Sequence, residues 1–224
     1  MRQKKQKSRK AREQETGPNP ISCFPALMLS CSLSAATALL PTITAAVLTG
    51  CGATEKPDAV FDLDGHVVDP LVETGANPTV LLFVHSTCPI SNRYAPDIKN
   101  LHTMFADRGV RFYLVYVDPD DSSDTIRDHR REYDLPGLVL RDTNHVLVRK
   151  TGATVTPEAA VYDASRTMVY RGRIDDRNVD FGKLRVAATQ LDLQMTLEAI
   201  VAGTPLKPRT TRAVGCYIAD LKSP

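Results

Sequence analysis

The run Thr79-Val80-Leu81-Leu82-Phe83-Val84 is apolar and rich in β-branched residues, and it gives way almost at once to Cys88-Pro89 and a helix-like segment from about Ser91 to Arg108. A strand that turns directly into a helix puts Cys88 at the helix N-terminus. There the unpaired backbone N–H groups and the positive end of the macrodipole favour a thiolate over a thiol. Pro89 suits the first helical turn, where its missing N–H would have had no partner. The chain is therefore expected to be built around a strand–Cys–helix unit.

The stretch from Phe83 to Pro96, Phe-Val-His-Ser-Thr-Cys-Pro-Ile-Ser-Asn-Arg-Tyr-Ala-Pro, resembles the active-site segment of the thioredoxin-like redoxins. That group also holds the alkyl hydroperoxide reductase/thiol-specific antioxidant proteins. The resemblance implies an α/β, thioredoxin-like fold: a central mixed sheet flanked by helices, with an N-terminal hairpin and a C-terminal tail. It makes Cys88 the attacking cysteine and Pro96 the proline that kinks the following helix. The family's second cysteine is missing, because Ser91 stands in its place. Ser91 is then a candidate hydrogen-bond partner for the Cys88 thiolate. Cysteines are often inert and buried, but strand, Cys-Pro and helix in succession favour a reactive one.

A length of 224 residues allows one domain with extensions, and a hydrophobic fraction of 42% is enough for an ordinary core. The formal charge of +2 conceals an asymmetry: residues 1–50 carry seven Lys/Arg and two Glu, leaving 21 basic against 24 acidic residues beyond them. The basic excess is thus N-terminal, and the body has no charge pattern suited to nucleic acid. The basic run from Arg2 to Arg12 is followed, from Thr16 to Gly50, by a stretch without charge, which reads as a secretory signal. The stretch ends Leu48-Thr49-Gly50-Cys51, which resembles the lipobox of bacterial lipoproteins and implies lipidation at Cys51, membrane anchoring and export. Pro25, Pro41 and many Ser and Thr make the same stretch a poor spanning helix. The organisation expected is a signal over 1–50, a tether over 51–57, a redoxin domain over 58–204 and a tail over 205–224.

Along the body, Ala59 to Asp69 reads as a hairpin about Asp64-Gly65, with His66 solvated beside the turn. Val110 to Val117 reads as a second strand, followed by an acidic loop whose Ser122 or Ser123 caps a charged helix over 124–134. The spacing of that loop is not that of an EF-hand, so no calcium site is expected. Leu138 to Arg141 is a short strand, and residues 145–150 resemble the short helix that precedes the substrate-facing loop of these folds. In that loop Thr156-Pro157 matches the family's cis-proline, which the resemblance places against Cys88, with Thr156 and Pro157 as the substrate platform. Ala160–Asp163 and Thr167–Ile174 read as a hairpin, residues 174–183 as polar turns, and Thr189 to Ala202 as a packing helix.

The tail carries Cys216, the one other cysteine expected to remain beside Cys88 after loss of Cys23 and Cys31 and lipidation of Cys51. In an exported protein two such thiols are suited to pairing. The resemblance to peroxiredoxins, where a remote resolving cysteine attacks the oxidised first one, implies that role for Cys216, the alternative being a cysteine that packs the tail or forms a static disulfide. Three readings follow. In the first, a thiol-disulfide oxidoreductase, Cys88 attacks a protein disulfide and Cys216 or an external thiol donor resolves the mixed disulfide. In the second, a peroxidase, Cys88 attacks a peroxide, with Arg93, Arg171 or Arg173 as candidate stabilisers. Against it, Leu81 and His85 occupy the proline and threonine positions of the peroxiredoxin pattern. In the third, Cys88, Cys216 and His85 carry copper or zinc. The first is preferred, with no cofactor and no metal.

Overall fold

The computed structural model describes residues 58–219. Strand β1 (Thr79–Val84) is buried along its whole length, as a strand covered on both faces of a sheet must be. Its side chains alternate between two cores. Val80, Leu82 and Val84 pack with Ile98 and Phe105 of α3 (Ala95–Phe105) and with Leu193 and Leu197 of α6 (Asp192–Val201). Leu81 and Phe83 pack on the other side with Leu71 of α1 (Pro70–Glu73) and with Leu147 and Val148 of α5 (Val146–Thr151). Leu193 and Leu197 are completely enclosed, each contributing on the order of 1.5–3 kcal/mol of burial energy.

The main sheet has the order β3-β2-β1-β5-β6-β9. Parallel pairing joins β1 to β2 (Arg111–Tyr116) and β2 to β3 (Leu138–Arg141). Antiparallel pairing joins β1 to β5 (Glu158–Tyr162) and β5 to β6 (Met168–Gly172). This mixed sheet between helices is the thioredoxin-like architecture expected. Helix α4 (Ser123–Tyr133) crosses between β2 and β3; its cap is Ser122, whose Oγ accepts from the Thr125 N–H at 3.1 Å.

Four segments differ from their sequence reading. The helix expected over 91–108 is three pieces: α2 (Pro89–Arg93), α3, and a 3₁₀ turn over Ala106–Arg108. The break at Tyr94 has a cause in Pro96, which has no N–H to bond the Asn92 carbonyl. The hairpin expected over 59–69 is reduced to one bridge, Phe61 to Val67, because Phe61 also exchanges backbone hydrogen bonds with Arg141 at the open edge of β3. The stretch read as polar turns contains a small hairpin, β7 (Asn178–Asp180) with β8 (Lys183–Leu184).

The fourth difference is the tail. Read as an extension outside the core, it is woven into the fold. Strand β9 (Arg209–Thr210) runs parallel to β6 at the sheet edge. A Cβ on Gly172 would overlap Thr211 there, so the close approach requires glycine. Arg209 stacks over the Tyr170 ring and donates to the buried Asp192 carboxylate at 3.1 Å. Beyond it, Val214 and Ile218 are buried and flank β10 (Cys216–Tyr217), which pairs with a separate short strand, β4 (Val155–Thr156).

Candidate active site

Cys88 is the N-cap of α2, and its Sγ accepts from the Ser91 N–H at 3.4 Å. The turn that brings it there is held from beneath. Asn92 donates to the Ser86 carbonyl at 3.1 Å, and the Ser86 hydroxyl donates to Asp121 at 2.8 Å. His129 Nε2 lies 2.9 Å from Asn92 Oδ1, and His129 Nδ1 lies 2.8 Å from the Tyr116 hydroxyl. Burial lowers the His129 pKa. A neutral ring that donates from Nε2 and accepts at Nδ1 satisfies both contacts.

Across from α2, the Thr156–Pro157 peptide bond is cis. The Cys88 thiol donates to the Thr156 carbonyl at 3.2 Å. The tail closes the third side. Cys216 is paired opposite Thr156, and Ile218 N–H donates to the Thr154 carbonyl at 3.0 Å. A Cβ on Gly215 would overlap the Thr156 carbonyl oxygen, so glycine there lets the tail lie flat on β4. The result is a Cys88 only 2% exposed, with a second, half-buried cysteine seated opposite the same Thr156 whose carbonyl accepts from the Cys88 thiol.

Electrostatics separates the two thiols. Burial pushes the Cys88 pKa up, but donors to the thiolate outweigh it and leave it below its ordinary value. The first of them is the Cys216 thiol, followed by the Ser91 N–H and the Ser91 and Thr156 hydroxyls. Those two hydroxyl oxygens are buried and have no other hydrogen-bond partner, so their hydrogens are free to turn toward sulfur. Cys216 is pushed up to about 12, by burial first and then by its bond to Cys88 and the negative charge there. The Ile90 N–H opposes this weakly. One thiol is poised to lose its proton while its neighbour keeps one.

This asymmetry predicts a pH profile. Alkylation of Cys88 by iodoacetamide tracks the thiolate fraction, so its rate should rise through a midpoint lower than that of an ordinary cysteine. In Cys216→Ala the principal donor is gone, and the midpoint, normalised to the plateau, should move to higher pH. An unmoved midpoint would show that Cys216 does not tune Cys88.

Residues 61–172 match the family model described as AhpC/TSA family, half of the chain. The chain belongs to the AhpC/TSA family. Among solved structures, this AhpC/TSA chain is similar to an uncharacterized conserved protein from Geobacillus kaustophilus, with 24% identity and a TM-score of 0.63 over 74% of this chain and 89% of that one. It is also similar to a hypothetical protein from Sinorhizobium meliloti, with 20% identity and a TM-score of 0.61 over 71% of this chain and 88% of that one. At these identities the likeness concerns the fold. Comparison with curated protein sequences gives no match.

Of the candidate residues, Cys88, Ser91, Thr156, Pro157 and Cys216 come together, though Ser91 contributes its backbone N–H as well as its hydroxyl. Cys51 lies outside the described residues. His85 does not join the thiols: its Nε2 pairs with Asp118 at 3.0 Å and its Nδ1 faces Thr87. Among the described residues, His85 groups with Asp118 and Asp121 rather than with either cysteine, so the copper or zinc arrangement of the third reading is not formed. Arg171 is engaged by Gly152 and Glu158, and Arg173 by Asp192, while Arg93 is exposed. The sequence reading passed over Gly215, the residue that seats the tail. Its signal was the Gly-Cys pair itself, a residue without a side chain beside one with chemistry.

Proposed function

We propose that this AhpC/TSA chain is an exported, lipid-anchored thiol-disulfide oxidoreductase in which Cys88 is the nucleophile and Cys216 resolves it. The observation that carries the reading is that both cysteines converge on Thr156: its carbonyl accepts from the Cys88 thiol at 3.2 Å, and Cys216 is the residue paired opposite it. Cys88 attacks one sulfur of a substrate disulfide, forming a mixed disulfide and releasing the other sulfur as a thiolate. Cys88 then carries no charge and accepts no proton from its neighbour. Two of the three causes that hold Cys216 protonated disappear, while the Ile90 N–H still favours its thiolate. Cys216 becomes competent only after Cys88 has reacted. It attacks Cys88, closes the Cys88–Cys216 disulfide and expels the reduced substrate, and an external thiol donor then restores both thiols.

Thr156 and Pro157 form the platform beside the reacting sulfur. Peroxide chemistry would run through the same pair, with Cys88 oxidised to sulfenic acid and Cys216 displacing water. Disulfide exchange fits better, because Leu81 and His85 stand where the peroxiredoxin pattern has proline and threonine, and of the three candidate arginines Arg171 and Arg173 are committed elsewhere. Export and anchoring at Cys51 rest on the N-terminal sequence pattern. Among the described residues no helix is long and apolar enough to cross a membrane.

The test is a non-reducing peptide map of the chain before and after a limited dose of hydrogen peroxide. A Cys88–Cys216 link is expected on oxidation and should vanish with reductant. If Cys88 stays free, or oxidises without meeting Cys216, the two-cysteine cycle is wrong.

A further inference from the structure

The tail occupies the edge of β4 beside Cys88, an edge with which an extended polypeptide could otherwise pair. Strand β4 is two residues long, its partner is β10, and the bond from the Ile218 N–H to the Thr154 carbonyl extends the pairing by one residue. While these bonds are made, the backbone beside Cys88 has no edge to offer. The occupying segment is anchored at its two ends and open between them. Tyr217 is 75% exposed and touches the Phe181 ring at a centroid distance of 6.1 Å, and the buried anchors are Val214 and Ile218.

The segment also has a pattern that the site enforces. The residue before the cysteine must lack a Cβ, because one would overlap the Thr156 carbonyl oxygen. The residues two before and two after the cysteine are buried and apolar. The residue just after it points to solvent. We propose that Val214–Ile218 is an internal stand-in for an external polypeptide, and that partners of this site are extended segments of the form apolar–Gly–Cys–x–apolar that replace it strand for strand. This rests on Cys88 being the nucleophile. The tail then acts as a gate: a polypeptide must displace it to pair with β4, whereas a small disulfide needs no strand edge. The exposed side chains of Phe181 and Leu184, on the small hairpin beside Tyr217, supply apolar surface next to the opening.

The test uses the full chain with Cys216→Ser and with Cys23, Cys31 and Cys51 also changed to serine, so that Cys88 is the sole thiol. The probe is a peptide Ala-Val-Gly-Cys-Tyr-Ile-Ala whose cysteine is linked to nitrothiobenzoate. Cys88 thiolate attacks the peptide sulfur, a Cys88–peptide disulfide forms, and the electron pair leaves with the coloured thiolate. A peptide with alanine in place of glycine and a small symmetrical aryl disulfide releasing the same thiolate are the controls. Adding Gly215→Ala or, independently, Ile218→Lys unseats the tail. Either is expected to raise the rate with the Gly-Cys peptide, relative to the small disulfide, by about tenfold, which corresponds to about 1.4 kcal/mol of lost tail seating.

In the unseated chains the Gly-Cys peptide should also outrun the Ala-Cys peptide by about tenfold, because the alanine Cβ meets the Thr156 carbonyl oxygen as one on Gly215 would. Circular dichroism and thermal melts confirm that each variant is folded. A peptide-to-small-disulfide ratio unchanged by both variants, or equal rates for the two peptides, overturns the gate. A chain in which even the small disulfide leaves Cys88 untouched overturns instead the assignment of Cys88 as nucleophile.

Discussion

A Cys88→Ser chain is expected to lose thiol-driven reduction of a peptide disulfide by at least about a thousandfold, the scale on which removing a covalent nucleophile acts. The reason lies in the group's ionisation. The thiolate is favoured at this position by the Cys216 thiol, the Ser91 N–H and two buried hydroxyls. A serine hydroxyl receives the same bonds but stays protonated near neutral pH, and an alcohol is a poor nucleophile toward sulfur. Cys216→Ser should behave differently. Cys88 still attacks, so one sulfur of a first equivalent of substrate is released as thiolate in a burst, but the other stays in the mixed disulfide until an external thiol arrives, and steady turnover falls. Burst amplitude and steady rate, followed with a fluorogenic peptide disulfide, separate the two variants. A Cys88→Ser chain that retained more than about a tenth of the activity would remove Cys88 from the mechanism.

What the sequence made legible was what local chemistry determines. Val80 to Val84 announced a buried central strand because apolar residues in unbroken succession have few other places to go. Cys88-Pro89 announced a helix start, and Ser122 a cap, because capping needs only near neighbours. The pairing of Ala160–Tyr162 with the strand after Ser165 followed from the turn between them. The segments that sequence reading misplaced are those whose structure is set at a distance. Strands of two residues, such as Arg209–Thr210 and Cys216–Tyr217, carry no detectable period. They exist because Gly172 and Gly215 admit another backbone at contact distance, which composition does not announce.

Asp121 lies in the acidic loop after β2, yet it is 6% exposed and takes the Ser86 hydroxyl from the turn that presents Cys88. The site was therefore readable as a set of residues sooner than as a place. Thr156, Cys216 and Cys88 were each visible, but the pairing that brings Cys216 opposite Thr156 is a tertiary fact.

Oxidation is expected to change stability as much as chemistry. Closing Cys88 to Cys216 ties the central strand–helix junction to the last described strand, and a loop of more than 100 residues lies between them. Such a link removes unfolded-state freedom, and disulfides of this kind contribute about 2–4 kcal/mol. For a chain of this size each kcal/mol moves Tm by about 2–4 °C, so the oxidised chain should melt about 4–16 °C above the reduced one. Part of the gain is offset, because the disulfide no longer uses the hydrogen bonds that favoured the Cys88 thiolate. Scanning calorimetry of the chain with and without reductant measures the difference, and Cys216→Ser should show none. Equal melting temperatures, or a shift that persists in Cys216→Ser, would show that the two sulfurs do not join.

The same free energy appears in the redox equilibrium. A fold that is stabilised by its disulfide holds that disulfide against reduction by an equal amount, and 2–4 kcal/mol corresponds to roughly 40–90 mV for a two-electron couple. The thiolate at Cys88 pulls the other way, since a stabilised reduced form makes the disulfide more oxidising. Melting temperatures at pH values below and above the Cys88 midpoint separate the contributions. Between that midpoint and the ordinary cysteine range the reduced chain keeps its thiolate bonds and the gap between oxidised and reduced forms should narrow; at higher pH the unfolded chain ionises Cys216, which the fold keeps protonated, and the gap should widen again. Below the midpoint the thiolate is protonated, those bonds weaken, and the gap should widen.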